Sequence, residues 1–171
     1  MALLMMDVGF SLRAATLEDQ PEIRSRVAIT LNHPEGGARP PSLRGSIERG
    51  EVLLLEFFDP RERQTRIGGF IEYRLRVDDS LTIREIGVEE GPSQVAVAKH
   101  LLNGLLDSVR PTAATIKVLR DAAFWNEIIE TITGFQIEGP SEYSRRHYFN
   151  VWEWRRERAA SRGSRPRGRR Q

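Results

Sequence analysis

Between residues 51 and 109 the apolar residues change their period, and that change limits what the chain can become. EVLLLEFF (51–58) is a nearly unbroken apolar run, as in a buried strand. In RIGGFIEYRLRV (66–77), Tyr73, Leu75 and Val77 alternate with Glu72, Arg74 and Arg76, the two-residue period of a half-exposed strand. SLTIREIGV (80–88) reads as a third strand. DPRERQ and Asp78-Asp79-Ser80 supply the turns, so the three strands are antiparallel neighbours. After Gly91-Pro92, Val97, Leu101, Leu102, Leu105 and Val109 recur at three- and four-residue intervals, which predicts a helix over 93–109 with Pro111 barring its continuation.

The flanks extend this pattern. Phe10–Arg13 predicts a short strand. LEDQPEIRSRVAI predicts a helix capped by Thr16, with Pro21 in its first turn. NHPEGGARPP (32–41) is a flexible connection, and SLRGSIERG predicts a second short helix ended by Gly50. TIKVL (115–119) is a strand and AAFWNEIIETITGF a helix leading into a Gly-Phe turn. FQIEG and HYFNVWEW are two last strands, expected as a hairpin. The order is strand, two helices, three strands, helix, strand, helix, two strands. It describes one α+β domain over residues 1–154, a mixed and mostly antiparallel central sheet flanked by helices.

Composition excludes several classes of function. The chain has 171 residues and no cysteine, so disulfides and thiolate chemistry are ruled out. His33, His100 and His147 are far apart and form no metal motif, so no metal site is expected. The apolar start MALLMMDVGF lacks a basic leader and a cleavage pattern, and no segment approaches the ~20 apolar residues of a membrane helix. A cytoplasmic protein without membrane association is the expectation. The net charge of +2 is unevenly spread: residues 155–171 carry eight arginines and one acid, +7, leaving −5 for the other 154 residues. This stretch lacks apolar periodicity and is expected to be a disordered tail from Arg155 onward. It suits phosphate neutralisation on a nucleic acid, docking on an acidic protein, or solubilisation. No aromatic residue follows Trp154, so the tail itself offers no base-stacking platform.

The element order, with GVEEGPSQVAVAKHLL (87–102) at its centre, resembles the GNAT superfamily of acyl-CoA-dependent N-acyltransferases over roughly residues 10–154. In that family a strand ends at a bulge and splays from its neighbour, and the following turn and helix N-terminus bind the cofactor pyrophosphate. The family spacing runs Arg or Gln, two free positions, Gly, one free position, then Gly or Ala. Ser93, Ala96 and Ala98 occupy those places here, with Gln94 one residue along. Ala98 fits, Ala96 adds one methyl to the expected glycine, and Ser93 departs from the pattern. Free amides and the dipole at a helix start favour an anion. The resemblance therefore implies acetyl-CoA or another acyl-CoA as cofactor, bound by Gln94, Val95, Ala96, Val97, Ala98 and Lys99, with Ile86 and Val88 flanking its extended arm. It further implies that the Val88 amide polarises the thioester carbonyl. Near the second helix, Ala122-Ala123-Phe124-Trp125 stands where the family carries an Ala before Phe-Tyr. Trp125 packs against the cofactor arm or fills the core, and it cannot replace the tyrosine as an acid.

Amine acylation requires a group that takes the amine proton. Glu85, just before the expected bulge, is the first candidate base, and Glu72 on the adjacent strand is the second. Tyr143 or Tyr148 could supply the missing acid. The expected activity is transfer of an acyl group, acetyl first, to an unidentified amine. The alternative is a non-catalytic module of the same fold in a nucleic-acid or protein assembly, suggested by Ser93, Ala96, Trp125 and the arginine tail.

Overall fold

The computed structural model describes residues 9–161. Its strands are β1 (Ser11–Ala14), β2 (Val27–Thr30), β3 (Val52–Asp59), β4 (Gln64–Leu75), β5 (Ser80–Glu89), β6 (Ala113–Leu119), β7 (Phe135–Ile137), β8 (Glu142–Ser144) and β9 (His147–Arg155). Its α-helices are α1 (Gln20–Arg26), α2 (Arg44–Glu48), α3 (Gln94–Val109), α4 (Ala123–Thr131) and α5 (Arg156–Ser161). The main sheet runs β1-β3-β4-β5-β6-β9-β7, with β2 on β5 and β8 on β9. Only β5 and β6 are parallel; the other pairs are antiparallel. The expected α+β class with a mixed, mostly antiparallel sheet is the observed one.

The sheet has two covered faces. Helices α3 and α4 pack on one, against Ile83, Ile86, Val88, Ala114, Ile116 and Trp152. Ile23 of α1 and Ile47 of α2 pack on the other, against Leu54, Ile67 and Phe70. Glycine lets α3 approach closely. A Cβ on Gly69 would stand 2.6 Å from Gly87 O and 3.0 Å from Val97 Cγ1, and one on Gly104 would collide with Leu12 of β1. The periodic apolar face of α3 thus settles directly on β4, β3 and β5.

Several expectations are corrected. The first helix stops at Arg26, and Val27-Ala28-Ile29-Thr30 form a strand. Val27 and Ile29 are β-branched and both buried, which favours extended backbone once a sheet edge is within reach. Strand β4 ends at Leu75, so the alternation beyond Tyr73 does not bury its apolar members: Leu75 is 45% and Val77 106% exposed. The two expected last strands do pair, as the three-residue β7 and β9, but the equally short β8 comes between them in sequence and makes the tight turn with β9. The chain also stays folded past Arg155. That residue closes β9, and α5 follows. Arg156 Nε donates to Pro111 O at 3.1 Å, and Arg158 Nη1 meets Glu138 Oε1 at 3.0 Å. These backbone and carboxylate acceptors hold the segment, together with the single apolar contact of Ala159 against the core. The rest of the expected tail, 162–171, lies outside the described residues.

Candidate active site

Strand β5 carries one extra residue. Glu72 of β4 faces Glu85 and Tyr73 faces Ile83, so Arg84 has no partner on β4. This is a β-bulge, and it lets Leu81 and Ile83 point to the same covered face as Ile86 and Val88. Strand β6 accompanies β5 only from Ser80↔Ala113 to Ile83↔Ile116 and leaves it at the bulge. A notch opens there between two parallel strands.

The far side of that notch is not empty. Strand β4 holds one edge of β5 as far as Val88. Strand β2, which pairs with Gly87–Glu89, must therefore lie on the opposite edge, the one β6 has left. Two side chains fasten β2 and its continuation. Glu85 Oε1 accepts the Leu31 N–H at 2.9 Å, while Oε2 accepts from Asn32 Nδ2 at 3.3 Å. The indole Nε1 of Trp125 donates to Thr30 O at 2.8 Å.

Glu85 has the most perturbed carboxyl of the site. Desolvation pushes its pKa up to about 7, and the charge of Glu72 pushes the same way. The N–H groups of Leu31 and Ile86 and the Asn32 amide pull it down, and burial wins. Glu72 is held elsewhere, its Oε2 accepting from Ser46 Oγ at 2.6 Å. The structure thus brings the two sequence-derived carboxylates together across the β4–β5 ladder. One is tied to β2 and the other to α2.

A recess of about 220 Å³ lies at the start of α3, lined by Phe57, Arg66, Gly68, Glu89, Gln94 and Val97 among others. Gln94 N–H donates to Gly91 O at 3.3 Å and Val97 N–H to Ser93 O at 2.9 Å. Between them the amides of Val95 and Ala96 have no acceptor among the described residues, the usual state of a helix start. The charge around the recess is mixed. Arg66 Nη1 binds Asp59 Oδ2 at 2.8 Å and Nη2 contacts Glu89, while Glu90 also lines the cavity.

The residues expected at a cofactor fall into three groups. Gln94 and Val97 line the recess, and Val95 and Ala96 are exposed beside it. Ile86, Val88 and Ala98 are fully buried in the core under α3, so they offer backbone only; Ala98 in particular turns its methyl away from the recess. Lys99 is half-buried and does not line the recess. Trp125 has no exposed surface; it fills the core and spends its single donor on Thr30. Tyr143 stands 62% exposed on β8, its ring centroid 5.0 Å from that of Tyr148, and no contact joins it to Glu85 among the described residues. Asn32, the Leu31 amide, Arg84 and Arg66 belong to the site without having been singled out. Among the described residues no group of His, Asp and Glu is arranged to hold a metal, and no helix is long and apolar enough to cross a membrane.

No protein-family model matches the sequence, and no curated protein sequence matches it. Solved structures do match. The ribosomal-protein-S18-alanine N-acetyltransferase of Escherichia coli superposes with a TM-score of 0.61 at 15% identity, over 85% of this chain and 93% of that one. A GNAT-family acetyltransferase from Bacillus cereus gives 0.64 at 15% identity, over 85% and 96%. The spermidine N-acetyltransferase of Vibrio cholerae, in complex with CoA and spermine, gives 0.62 at 15% identity, over 88% and 98%.

Proposed function

This chain has the GNAT fold in a divergent form, and on that premise we propose that it is an acyl-CoA-dependent N-acyltransferase. The observation that carries the proposal is the bulge at Arg84. It coincides with the departure of β6, sets Glu85 in the resulting notch, and precedes a helix start with two unpaired amides. Solved proteins of this fold include N-acetyltransferases, the spermidine enzyme of Vibrio cholerae among them in complex with CoA, which supports an acyl-CoA donor. Acetyl is the first acyl group to test, and the acceptor is an amine.

The cofactor diphosphate would lie against the amides of Val95 and Ala96, where the helix dipole favours an anion. Glu85, half ionised near neutral pH, takes a proton from the acceptor nitrogen. The freed lone pair would form the new C–N bond at the thioester carbonyl. The C–S bond would then break, the sulfur leaving with its electron pair and taking up the second proton, which the newly acylated nitrogen releases. Desolvation tunes Glu85 for this role, since a base whose pKa lies near the working pH is both available and strong enough. Entry of the cofactor arm along Ile86–Val88 requires β2 to leave that edge.

A second function is favoured by the same β2 pairing: a module that has kept the fold and closed the cofactor slot with its own chain. Glu89 and Glu90 at the recess support it, because they would repel a diphosphate. Calorimetry with acetyl-CoA, followed by thiol-release assays over a panel of amines, decides between the two. Binding with thiol release supports the transferase. No heat of binding at millimolar cofactor overturns it in favour of the module.

A further inference from the structure

On the sheet face opposite α3 and α4, the notch widens into a groove of about 390 Å³ that carries an excess of positive charge. The bulge residue Arg84 enters from β5, Arg76 from the β4–β5 turn, Lys117 from β6 and Arg145 from the β8–β9 turn. Thr82, Thr115 and Ser144 add hydroxyls. Lys117 is neutralised at the rim by Glu142 at 2.8 Å. Arg76, Arg84 and Arg145 have no carboxylate within ion-pair distance among the described residues, although 24 of the chain's residues are Asp or Glu and most other arginines of the sheet are paired. Asn32 lines the groove and donates to Glu85, so the cationic groove and the carboxylate share one residue as their common wall.

Charge of this kind discriminates between amines. Three guanidiniums around one cavity repel a polycation and attract an anionic substituent, and a guanidinium offers two parallel donors to a carboxylate or phosphate. Arg84 and Glu85 are adjacent on the bulge. A molecule whose anionic group sits on Arg84 and Arg145 therefore has its amine a few bonds away, on the side of Asn32 and Glu85. The nearby positive charge also lowers the amine's proton affinity, which favours its reactive neutral form.

We propose that the groove formed by Arg76, Arg84 and Arg145 binds the anionic group of a small amine, so that the acceptor is an amine bearing a phosphate or carboxylate. The acyl-transfer function is needed only for the chemistry that follows binding. The test uses matched probes on the full chain. Phosphoethanolamine and β-alanine are each titrated calorimetrically against ethanolamine, with the wild type and with the double variant Arg84→Ala/Arg145→Ala. Both replaced residues are exposed, and a melting curve checks that the variant is folded. We expect at least one anionic probe to bind about tenfold or more tighter than ethanolamine, and the double variant to abolish the difference. The better of the two probes identifies phosphate or carboxylate as the recognised group. Equal affinities for charged and uncharged amines, binding of none, or a preference that survives in a folded variant each overturns the proposal. Selective binding without thiol release from acetyl-CoA leaves the anion site standing and sinks the transferase alone.

Discussion

The Leu31 N–H donates to Glu85 Oε1 at 2.9 Å, joining the candidate base to the segment that covers the free edge of β5. One carboxylate thus has two tasks. As a base it must accept a proton, and as an acceptor it holds the chain just beyond β2 in place. The two are coupled, because a protonated carboxyl has less acceptor capacity to offer Leu31 and Asn32. The most reactive group in the notch is therefore also part of what closes it.

Replacing that carboxylate separates catalysis from binding. Glu85→Gln keeps the size and an acceptor oxygen but cannot take a proton at neutral pH. Turnover should fall by roughly 10²–10⁴-fold while acyl-CoA affinity changes little. In the wild type, turnover should rise with pH through the value near 7 at which Glu85 ionises, and the variant should lose that limb. Steady-state rates from pH 5.5 to 9, with calorimetric affinities beside them, check both. An unchanged profile in Glu85→Gln removes Glu85 as the base and turns attention to Glu72.

The same substitution has a stability signature that does not depend on any enzyme activity. The folded-state pKa of Glu85 is raised from 4.5 to about 7, so the folded protein resists ionisation that the unfolded chain accepts freely. Below pH 4.5 the carboxyl is neutral in both states and costs nothing. Stability is lost progressively as pH rises from about 4.5 to about 7, by about 3 kcal/mol, and stays lost above. Glu85→Gln should therefore gain stability relative to the wild type as pH is raised across that window. Denaturant unfolding of both proteins at pH 5 and pH 8 measures the change. A difference that is constant with pH would show that Glu85 ionises normally.

Ala96 and Ala98 differ by two positions and should respond in opposite ways. Ala98 is fully buried, so Ala98→Glu places a carboxylate in the core under α3 and should unfold the domain or cost it several kcal/mol. Ala96 is exposed at the helix start, beside its own unpaired amide. Ala96→Glu should leave the melting temperature nearly unchanged and weaken acyl-CoA binding, since the new charge repels the diphosphate. Melting curves and cofactor titrations of the two variants test this. A folded Ala96→Glu protein with wild-type cofactor affinity would displace the diphosphate from this helix start.

Much of this arrangement was legible in the sequence. The three-strand meander, the helix after Pro92 and the α+β class follow from apolar period alone. Even the bulge leaves a trace: Leu81 and Ile83 are two apart, Ile86 and Val88 are two apart, and the step between the pairs is three. What could not be read is what comes from far along the chain. Val27–Thr30 continues a helical pattern locally and becomes a strand only because β6 vacates an edge 57 or more residues later. Trp125 lies in a helix whose buried face is plain, yet nothing local indicates that its indole donates to Thr30, 95 positions away. Arg155 to Ser161 looks like tail because its anchors are backbone carbonyls at Pro111 and Gly134 and one small alanine, Ala159, which leave no apolar period.

Trp125 should control how firmly β2 is held. Trp125→Phe keeps an aromatic ring but removes the donor to Thr30 O and some volume. Thr30 O keeps the His33 N–H at 3.2 Å, so losing the indole bond should cost about 0.5–1.5 kcal/mol, and the loss should be local to β2. Amide hydrogen exchange of Ile29, Thr30 and Leu31 should quicken far more than that of β4. If the strand closes the cofactor slot, acyl-CoA should also bind the variant more tightly than the wild type, because less energy is needed to vacate the edge. Uniform acceleration across the sheet would mean that the indole supports the core as a whole.

The C-terminal arginines divide into two sets with different expected roles. Arg155, Arg156 and Arg158 belong to β9 and α5 and bind groups of the fold, while Arg162, Arg165, Arg167, Arg169 and Arg170 follow. Deleting residues 162–171 should leave the melting temperature unchanged. Deleting from Arg155 should lower it, because the bonds to Pro111, Gly134 and Glu138 go as well. The shorter deletion removes five positive charges and takes the net charge from +2 to −3. If the segment contacts nucleic acid, its loss should weaken binding to generic duplex and single-stranded oligonucleotides and flatten the salt dependence, since fewer counterions are released from the phosphates. A salt titration of the full chain and of the chain ending at Ser161 measures affinity and slope together. Equal slopes for the two would leave nucleic acid without a role for this segment, and an acidic protein surface would become the partner to seek.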